Sequence, residues 1–171
     1  IDIKIPISID LNYRPSLGSF KELWDVLKKY ISDINTLIIS ENNILNICML
    51  ENIAYSSFLD NNLREIANKL NINRIVICMK ERDNQKQKRY SVMFYKNIIY
   101  YSDIKNHIPL EDIGGGDSYI GCLIDQFLNN PNNILENLDY SDIYTILNQN
   151  TCGNFSNIDK KELFSKKNEF R

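Results

Sequence analysis

The 171 residues contain one histidine, one tryptophan, two alanines and four prolines, and their charge is nearly balanced, with 20 basic against 22 acidic residues. Each shortage excludes something. A single histidine, His107, rules out any site needing two, and is available at most to a Ser-His-Asp arrangement. The four cysteines, Cys48, Cys78, Cys122 and Cys152, stand thirty residues or more apart, so no CxxC or His/Cys zinc pattern exists. A net charge of -2 gives no broad basic surface for nucleic acid or an anionic membrane. No apolar run approaches the roughly 18 residues needed to span a bilayer, and the opening carries no signal-peptide pattern. The expected address is a reducing cytoplasm, with four free thiols. The low alanine content, against abundant Asn and Ile, fits an AT-rich coding bias and bears on no function. Because the chain begins with Ile1 inside an apparent strand, it reads as a fragment of something longer.

What is present is ordinary globular material, 43% hydrophobic and 25% charged, enough for one domain with a sizeable core. Ile5 to Ile9 is β-branched and apolar and predicts a buried strand, stopped by Pro15 beyond a polar loop. Ser19-Phe20-Lys21-Glu22 is a capping box. It opens a helix to Ile31 with Leu23, Val26, Leu27, Tyr30 and Ile31 at helical spacing. Thr36 to Ile39 reads as a strand, Glu41 to Met49 as a helix, and Leu59 to Leu70 as an amphipathic helix. Arg74 to Met79 is a strand covered on both faces. Gln85 to Arg89 reads as a polar, basic turn. Tyr90 to Tyr95 and Ile98 to Tyr101 form a hairpin about Lys96-Asn97, followed by a loop from Ser102 to Gly115. Helices are expected over Gly116 to Leu128, with Ile120, Leu123, Ile124, Phe127 and Leu128 inward, over Ser141 to Asn150, and over Asp159 to Lys166. Strand and helix alternate, which predicts a three-layer α/β/α sandwich on a mostly parallel sheet.

The most informative stretch is Glu111-Asp112-Ile113-Gly114-Gly115-Gly116-Asp117-Ser118, with three glycines just ahead of a helix. Glycine permits positive φ and the close approach of a ligand. The first turn of a helix offers unpaired N–H groups and the positive end of the dipole. Together they make an anion site suited to a phosphate in transfer. A carboxylate at that mouth, Asp117, would accept the proton of an attacking hydroxyl. The plainer reading is a flexible loop with Asp117 as the helix cap. The spacing matches neither a Walker A loop nor a dinucleotide fingerprint. The other features read plainly. Lys80, Arg82, Lys86, Lys88 and Arg89 suit a solvated turn or contact with phosphates. The tyrosines between 90 and 101 suit sheet packing rather than base stacking. His107 is expected to be exposed, and the cysteines to be buried small hydrophobes.

Residues 114–121 resemble the Gly-Ala/Gly-Gly-Asp signature of the ribokinase/phosphofructokinase-B carbohydrate kinases. Further segments agree with this in order and spacing. Asp10 to Arg14 resembles the DxNxR segment, in the Asn-Tyr-Arg form of the 2-keto-3-deoxygluconate kinases. Cys78 to Glu81 falls where that subgroup has Thr-Leu-Arg-Glu, with Lys80 in place of Arg. Tyr100-Tyr101-Ser102 resembles the segment before the glycine turn, and Gly153 to Ser156 falls where the subgroup has Gly-Asp-Phe-Asn, with Asn154 in place of Asp.

The resemblance implies a ribokinase-like fold cut to its C-terminal half, residues 1–171 forming one partial kinase domain without the lid. It implies transfer of phosphate from ATP, with Mg²⁺, to a sugar-acid hydroxyl, of 2-keto-3-deoxygluconate by subgroup and of fructose or ribose as alternatives. Asp117 would be the base, and the N–H groups of Gly114, Gly115 and Gly116 the anion hole. Arg14 and Asn12 would meet the acceptor, and Lys80, Gly153 and Asn154 the ATP. Glu41 is what remains, in Ser40-Glu41-Asn42-Asn43, of an Asn-Glu-x-Glu segment that organises Mg²⁺ through water. The losses at Ser40, Asn43 and Asn154 also fit a non-catalytic pseudokinase or nucleotide-binding fragment. A sheet cut at Ile5 to Ile9 would bare an edge, so pairing with a second copy or a complementing N-terminal half is expected.

Overall fold

The computed structural model describes residues 5–151 and 158–170. Among them six strands hydrogen-bond in the order β1-β2-β3-β4-β5, with β6 on β4. By internal contacts the chain divides into two compact units, Ile1–Cys78 with Met93–Ile99, and Met79–Val92 with Tyr100–Arg171.

In the first unit, β1 (Ser8–Asp10) pairs in parallel with β2 (Thr36–Ser40), and β2 pairs in parallel with the first part of β3 (Arg74–Asp83), the strand whose residues from Met79 on belong to the second unit. Leu37, Ile38 and Ile39 of β2 and Ile75, Val76 and Ile77 of β3 are buried in unbroken runs, as strands covered on both faces require. The expected strand at Ile5 to Ile9 is shorter and less covered than its composition implies. It begins at Ser8 at the end of the strand order, and Ile5 is 77% exposed. A terminal strand has a neighbour on one side only, so apolar composition does not secure its burial.

Helix α1 (Phe20–Leu27) starts at the expected capping box. Ser19 Oγ accepts from the Glu22 N–H at 3.2 Å, and Glu22 Oε2 accepts from the Ser19 N–H at 2.8 Å. Its buried face is Phe20, Trp24 and Leu27, whereas Val26 and Tyr30 are exposed, contrary to the spacing argument. After Leu27 the chain tightens into a 3₁₀ turn over Lys28–Asp33, whose larger rotation per residue carries Tyr30 off the helical stripe. Helices α2 (Glu41–Leu50) and α3 (Leu59–Leu70) stand where the periodicity puts them. α3 stops at Asn71 in the left-handed region, φ 53°.

Strand β4 (Lys86–Tyr95) belongs to the second unit as far as Val92 and to the first beyond it; its second-unit part pairs antiparallel with β6 (Lys105–His107), Gln87 opposite His107 and Arg89 opposite Lys105. The expected turn at Gln85 to Arg89 is therefore mostly strand; the turn itself is Asn84-Gln85. Gln87, Arg89 and Ser91 are buried and alternate with residues that are not, a strand period hidden because the inward residues are polar. The expected loop from Ser102 likewise contains β6, and it carries His107 inward, 8% exposed. The hairpin to β5 (Ile98–Tyr101) turns at Lys96 and Asn97, both at positive φ, as a two-residue primed turn needs. Parallel pairing thus holds over β1–β3, whereas β4 and β6 pair antiparallel.

Helix α4 (Gly115–Asn129) packs on α5 (Ile134–Gln149). Its buried side chains are Tyr119, Cys122, Leu123 and Gln126; Ile124 and Leu128 face outward, against expectation. α5 begins well before Ser141. Asn137, Ser141, Asp142, Thr145, Asn148 and Gln149 are all buried on it, so it shows no clean apolar stripe. Ser141 and Thr145 return their hydroxyls to carbonyls one turn back, at 2.7 and 2.8 Å. Helix α6 (Lys160–Lys166) stands where a helix over Asp159 to Lys166 was expected, with Asp159 as its cap. Among the described residues no helix is long and apolar enough to cross a membrane.

The first unit is held in part by a buried acceptor. Trp24 Nε1 donates to Glu51 Oε1 at 2.7 Å and Lys28 Nζ to Oε2 at 2.9 Å. Burial opposes the Glu51 charge, but these two donors outweigh it and hold the carboxyl below the usual glutamate range. A depressed pKa stabilises the fold above the unfolded-state value, and that contribution is lost as pH falls through the folded-state value. Glu51→Gln should therefore lower stability at neutral pH by about 1–3 kcal/mol, with the difference closing in acid. Urea unfolding at pH 7 and below pH ~4 measures both limbs.

Candidate active site

The glycine turn is built entirely within the second unit. Gly114 is the N-cap of α4 at φ 75°, and no side chain caps that end. A β-branched or bulky residue would be strained there. At Gly115 the constraint is space, since a Cβ would lie 3.1 Å from Gln149 Nε2 and 3.5 Å from Thr145 Cγ2. At Gly116 a Cβ would meet nothing within 4 Å, so this side of the turn is open to approach. Asp117 lies in the first helical turn, exposed, and is not the cap. Ser118 closes the turn instead, its N–H donating to the Gly114 carbonyl at 2.9 Å and its Oγ to the Gly115 carbonyl at 3.0 Å. The first N–H groups of a helix have no partner within it. Here they face a turn with no side-chain acceptor and a positive dipole end, the arrangement that holds an anion.

Gly114, Asp117 and Ser118 line one wall of a cavity of about 360 Å³, completed by Cys122, Tyr144, Asn148 and Leu163 among others. Asn148 is 2% exposed, and its Nδ2 meets no acceptor among the described residues. A buried donor without an acceptor fits a cavity that takes a ligand bearing one. Burial pushes the Cys122 thiol up to about 12.

Behind the turn lies a chain of polar side chains. Asp112 receives Lys80 Nζ at 3.4 Å and Arg82 Nη1 at 3.0 Å. Partial burial works against its charge, but the two cations prevail and hold the carboxyl below the usual aspartate range. Gln149 Nε2 donates to Asp112 Oδ1 at 3.2 Å, and Gln149 Oε1 lies 2.9 Å from His107 Nε2. Burial, above all, lowers the pKa of His107. Deeper still, Asp142 is fully buried. It accepts from Arg89 Nε at 3.1 Å, Ser91 Oγ at 2.9 Å and Ser102 Oγ at 2.7 Å. Burial raises its carboxyl, against the pull of Arg89 and the hydroxyls. The Arg89 guanidinium also sits 5.1 Å from the centre of the Tyr119 ring. The expected basic cluster is thus dispersed. Lys80 and Arg82 serve Asp112, Lys88 pairs with Glu81, and Arg89 is a core residue.

The remaining expected site residues divide by unit. Asn12 and Arg14 are exposed and line a cavity of about 410 Å³ in the first unit, with Tyr13, Leu17 and Glu22. Asn12 takes φ 38° and its N–H donates to Asp10 Oδ1 at 3.1 Å, so Asp10 makes the Asx turn. Glu41 is exposed at the first position of α2. Among the described residues no three His, Cys, Asp or Glu side chains gather as metal ligands. Gly153 and Asn154 lie outside the described residues. Asp112, Asn148, Asp142 and Gln149 were not singled out by the sequence argument. Asp112 sits within the glycine stretch itself, but nothing in the chain announces that Asn148 and Gln149 reach it from α5.

No family model matches the sequence, and no curated protein matches it. Solved structures match it by shape. The 2-dehydro-3-deoxygluconokinase of Thermotoga maritima superposes with a TM-score of 0.83 at 20% identity, covering 96% of this chain and 50% of that one. A PfkB family carbohydrate kinase of Listeria grayi gives 0.84 at 16% identity, covering 96% and 50%. A fructokinase of Xylella fastidiosa with bound ATP gives 0.70 at 15% identity, covering 96% and 52%. The chain has the ribokinase-like α/β fold of these carbohydrate kinases. It spans about half the length of the chains it matches.

The buried carboxylate gives a direct test of the second unit. Arg89→Leu leaves Asp142 without its cation in the interior and should destabilise the fold by about 3–5 kcal/mol. Chemical denaturation measures it, and Lys88→Leu on the exposed alternate position should cost under ~1 kcal/mol.

Proposed function

We propose that this chain is the ATP-binding and catalytic half, the C-terminal one, of a sugar kinase that phosphorylates a sugar acid. 2-Keto-3-deoxygluconate, taken to its 6-phosphate, is the acceptor this reading favours. Fructose and ribose are the rival acceptors. One observation carries the reading: Asp117 and the uncapped glycine end of α4 line a single cavity, on a chain with this fold. In the reaction the acceptor hydroxyl oxygen bonds to the γ-phosphorus of ATP, the bond from that phosphorus to the bridging oxygen breaks, and ADP leaves. Asp117 takes the hydroxyl proton. The N–H groups of Gly114, Gly115 and Gly116 hold the charge on the migrating phosphoryl, where one donor is worth about 10²–10³ in turnover.

Arg14 is assigned to the anionic group of the acceptor because its fork makes two bonds to a carboxylate, and Asn12 stands beside it in sequence. Lys80, Gly153 and Asn154 are assigned to ATP. Lys80 already serves Asp112, so any phosphate contact is shared with that carboxylate. Magnesium enters this reading with ATP, and no step is routed through it. The protein is placed in the cytoplasm, completed by an N-terminal half or a second copy.

The test is turnover of ATP against a panel of sugar acids and sugars. Asp117→Asn should lower turnover by about 10²–10⁴ while calorimetry finds ATP binding intact. Wild-type binding of ATP with no turnover on any acceptor would overturn the enzyme reading and leave a nucleotide-binding module.

A further inference from the structure

We propose that Gln149 is a positioning residue that holds the glycine turn in its anion-gripping shape. The proposal rests on the phosphoryl-transfer reading above and adds to it a residue on a different element, at the far end of α5. Five contacts meet at this one side chain and its backbone. Its Nε2 donates to Asp112 Oδ1 at 3.2 Å. Its Oε1 faces His107 Nε2 at 2.9 Å. Its carbonyl accepts from the Leu110 and Glu111 N–H groups at 2.9 and 3.0 Å. Its amide also occupies the space where Gly115 would carry a Cβ. The segment from Leu110 to Gly115 is therefore tied to the end of α5 at its start, its middle and its end.

The amide orientation follows from the chemistry of its partners. An ionised Asp112 only accepts, so the NH₂ end of Gln149 must face it and the oxygen must face His107. An oxygen only accepts, so His107 must carry its proton on Nε2. His107 Nδ1 is then bare, and it is buried with no partner among the described residues. A second proton there would have no acceptor, in keeping with the lowered pKa of this histidine. His107 thus stays neutral and fixes the amide, the amide fixes Asp112, and Lys80 and Arg82 anchor Asp112 from β3. With the turn so held, the glycine N–H groups are preorganised before a phosphate arrives. That is where an electrostatic site gains over water, and displacements of about 1 Å cost on the order of 10²-fold.

The experiment uses two variants and two readouts. Gln149→Met keeps the volume and removes both hydrogen bonds of the side chain. Gly115→Ala leaves the amide intact but drives a methyl against it. Each should lower kcat about ten- to a hundredfold, with KM for ATP within about twofold if the lost interaction is made in the transition state. Adding Gln149→Ala to Gly115→Ala should cost no more than the worse single change, because both act on one contact. Independently of turnover, NMR order parameters of the three glycine amides should fall from about 0.85 in the wild type toward 0.6 in Gln149→Met. Variants that lose thermal stability yet keep kcat and rigid glycine amides would overturn the proposal and leave Gln149 a packing residue. If Gln149→Met does not fold, Gly115→Ala and His107→Phe decide by the same two readouts. A wild type without turnover counts against the kinase reading alone, and the order parameters still decide whether Gln149 holds the turn.

Discussion

The turn that opens α4 depends on two positions that favour glycine, for two different reasons. At Gly114 the backbone sits in the left-handed region, where a side chain strains the chain. At Gly115 the backbone is ordinary, but a Cβ would crowd the neighbouring amide at 3.1 Å. The first constraint shapes the bend and the second brings the helix end down onto α5. Most helices meet the unpaired amides of their first turn with a side chain, and here the N-cap residue has none to offer. Among the described residues that end has no side-chain cap, and under the proposed function its N–H groups are a resource once an anion arrives.

Around this turn, the second unit is organised by polar groups inside rather than by apolar ones alone. Asp142 stands at the centre, with an arginine and two serines from the strands and loop beside it. A charge pair taken wholly out of water adds little net stability compared with an apolar pair of the same size. What it supplies is direction. Arg89, Ser91 and Ser102 must each point a donor at one carboxylate, and this fixes the register of the strand that carries the first two. The antiparallel partner of that strand, β6, then brings His107 to Gln149. Register and site geometry come from the same set of bonds.

Much of this was legible in the sequence, and the failures share a cause. The capping box at Ser19, the parallel strands at Thr36 and Arg74, the helix from Leu59 and the hairpin at Lys96-Asn97 were all read correctly from apolar period and turn chemistry. Gly114 to Asp117 was read as a helix start, and α4 begins there. The errors fall where inward residues are polar. Gln87, Arg89 and Ser91 looked like a solvated turn because period-two patterning is sought in apolar residues. The part of α5 before Ser141 was also missed; of its buried residues Ile134, Asn137, Leu138 and Tyr140, Asn137 breaks the apolar stripe. His107 looked exposed because the three-residue strand beneath it has no apolar signal. The inward face of α4 was misjudged at Ile124 and Leu128 because composition marks what is apolar, while packing against α5 decides what is covered. Contacts such as Gln149 to Asp112 span 37 residues and leave no local trace.

Cys122 sits in the wall of the cavity with its thiol pushed up to about 12. At neutral pH only on the order of one molecule in 10⁵ then carries the thiolate, the form that reacts with electrophiles and peroxides. The sulfur there behaves as a compact apolar filler. Oxidants and alkylating probes that reach the cavity would pass this side chain by, and a chemist seeking a covalent handle on the site would have to install one elsewhere on its rim.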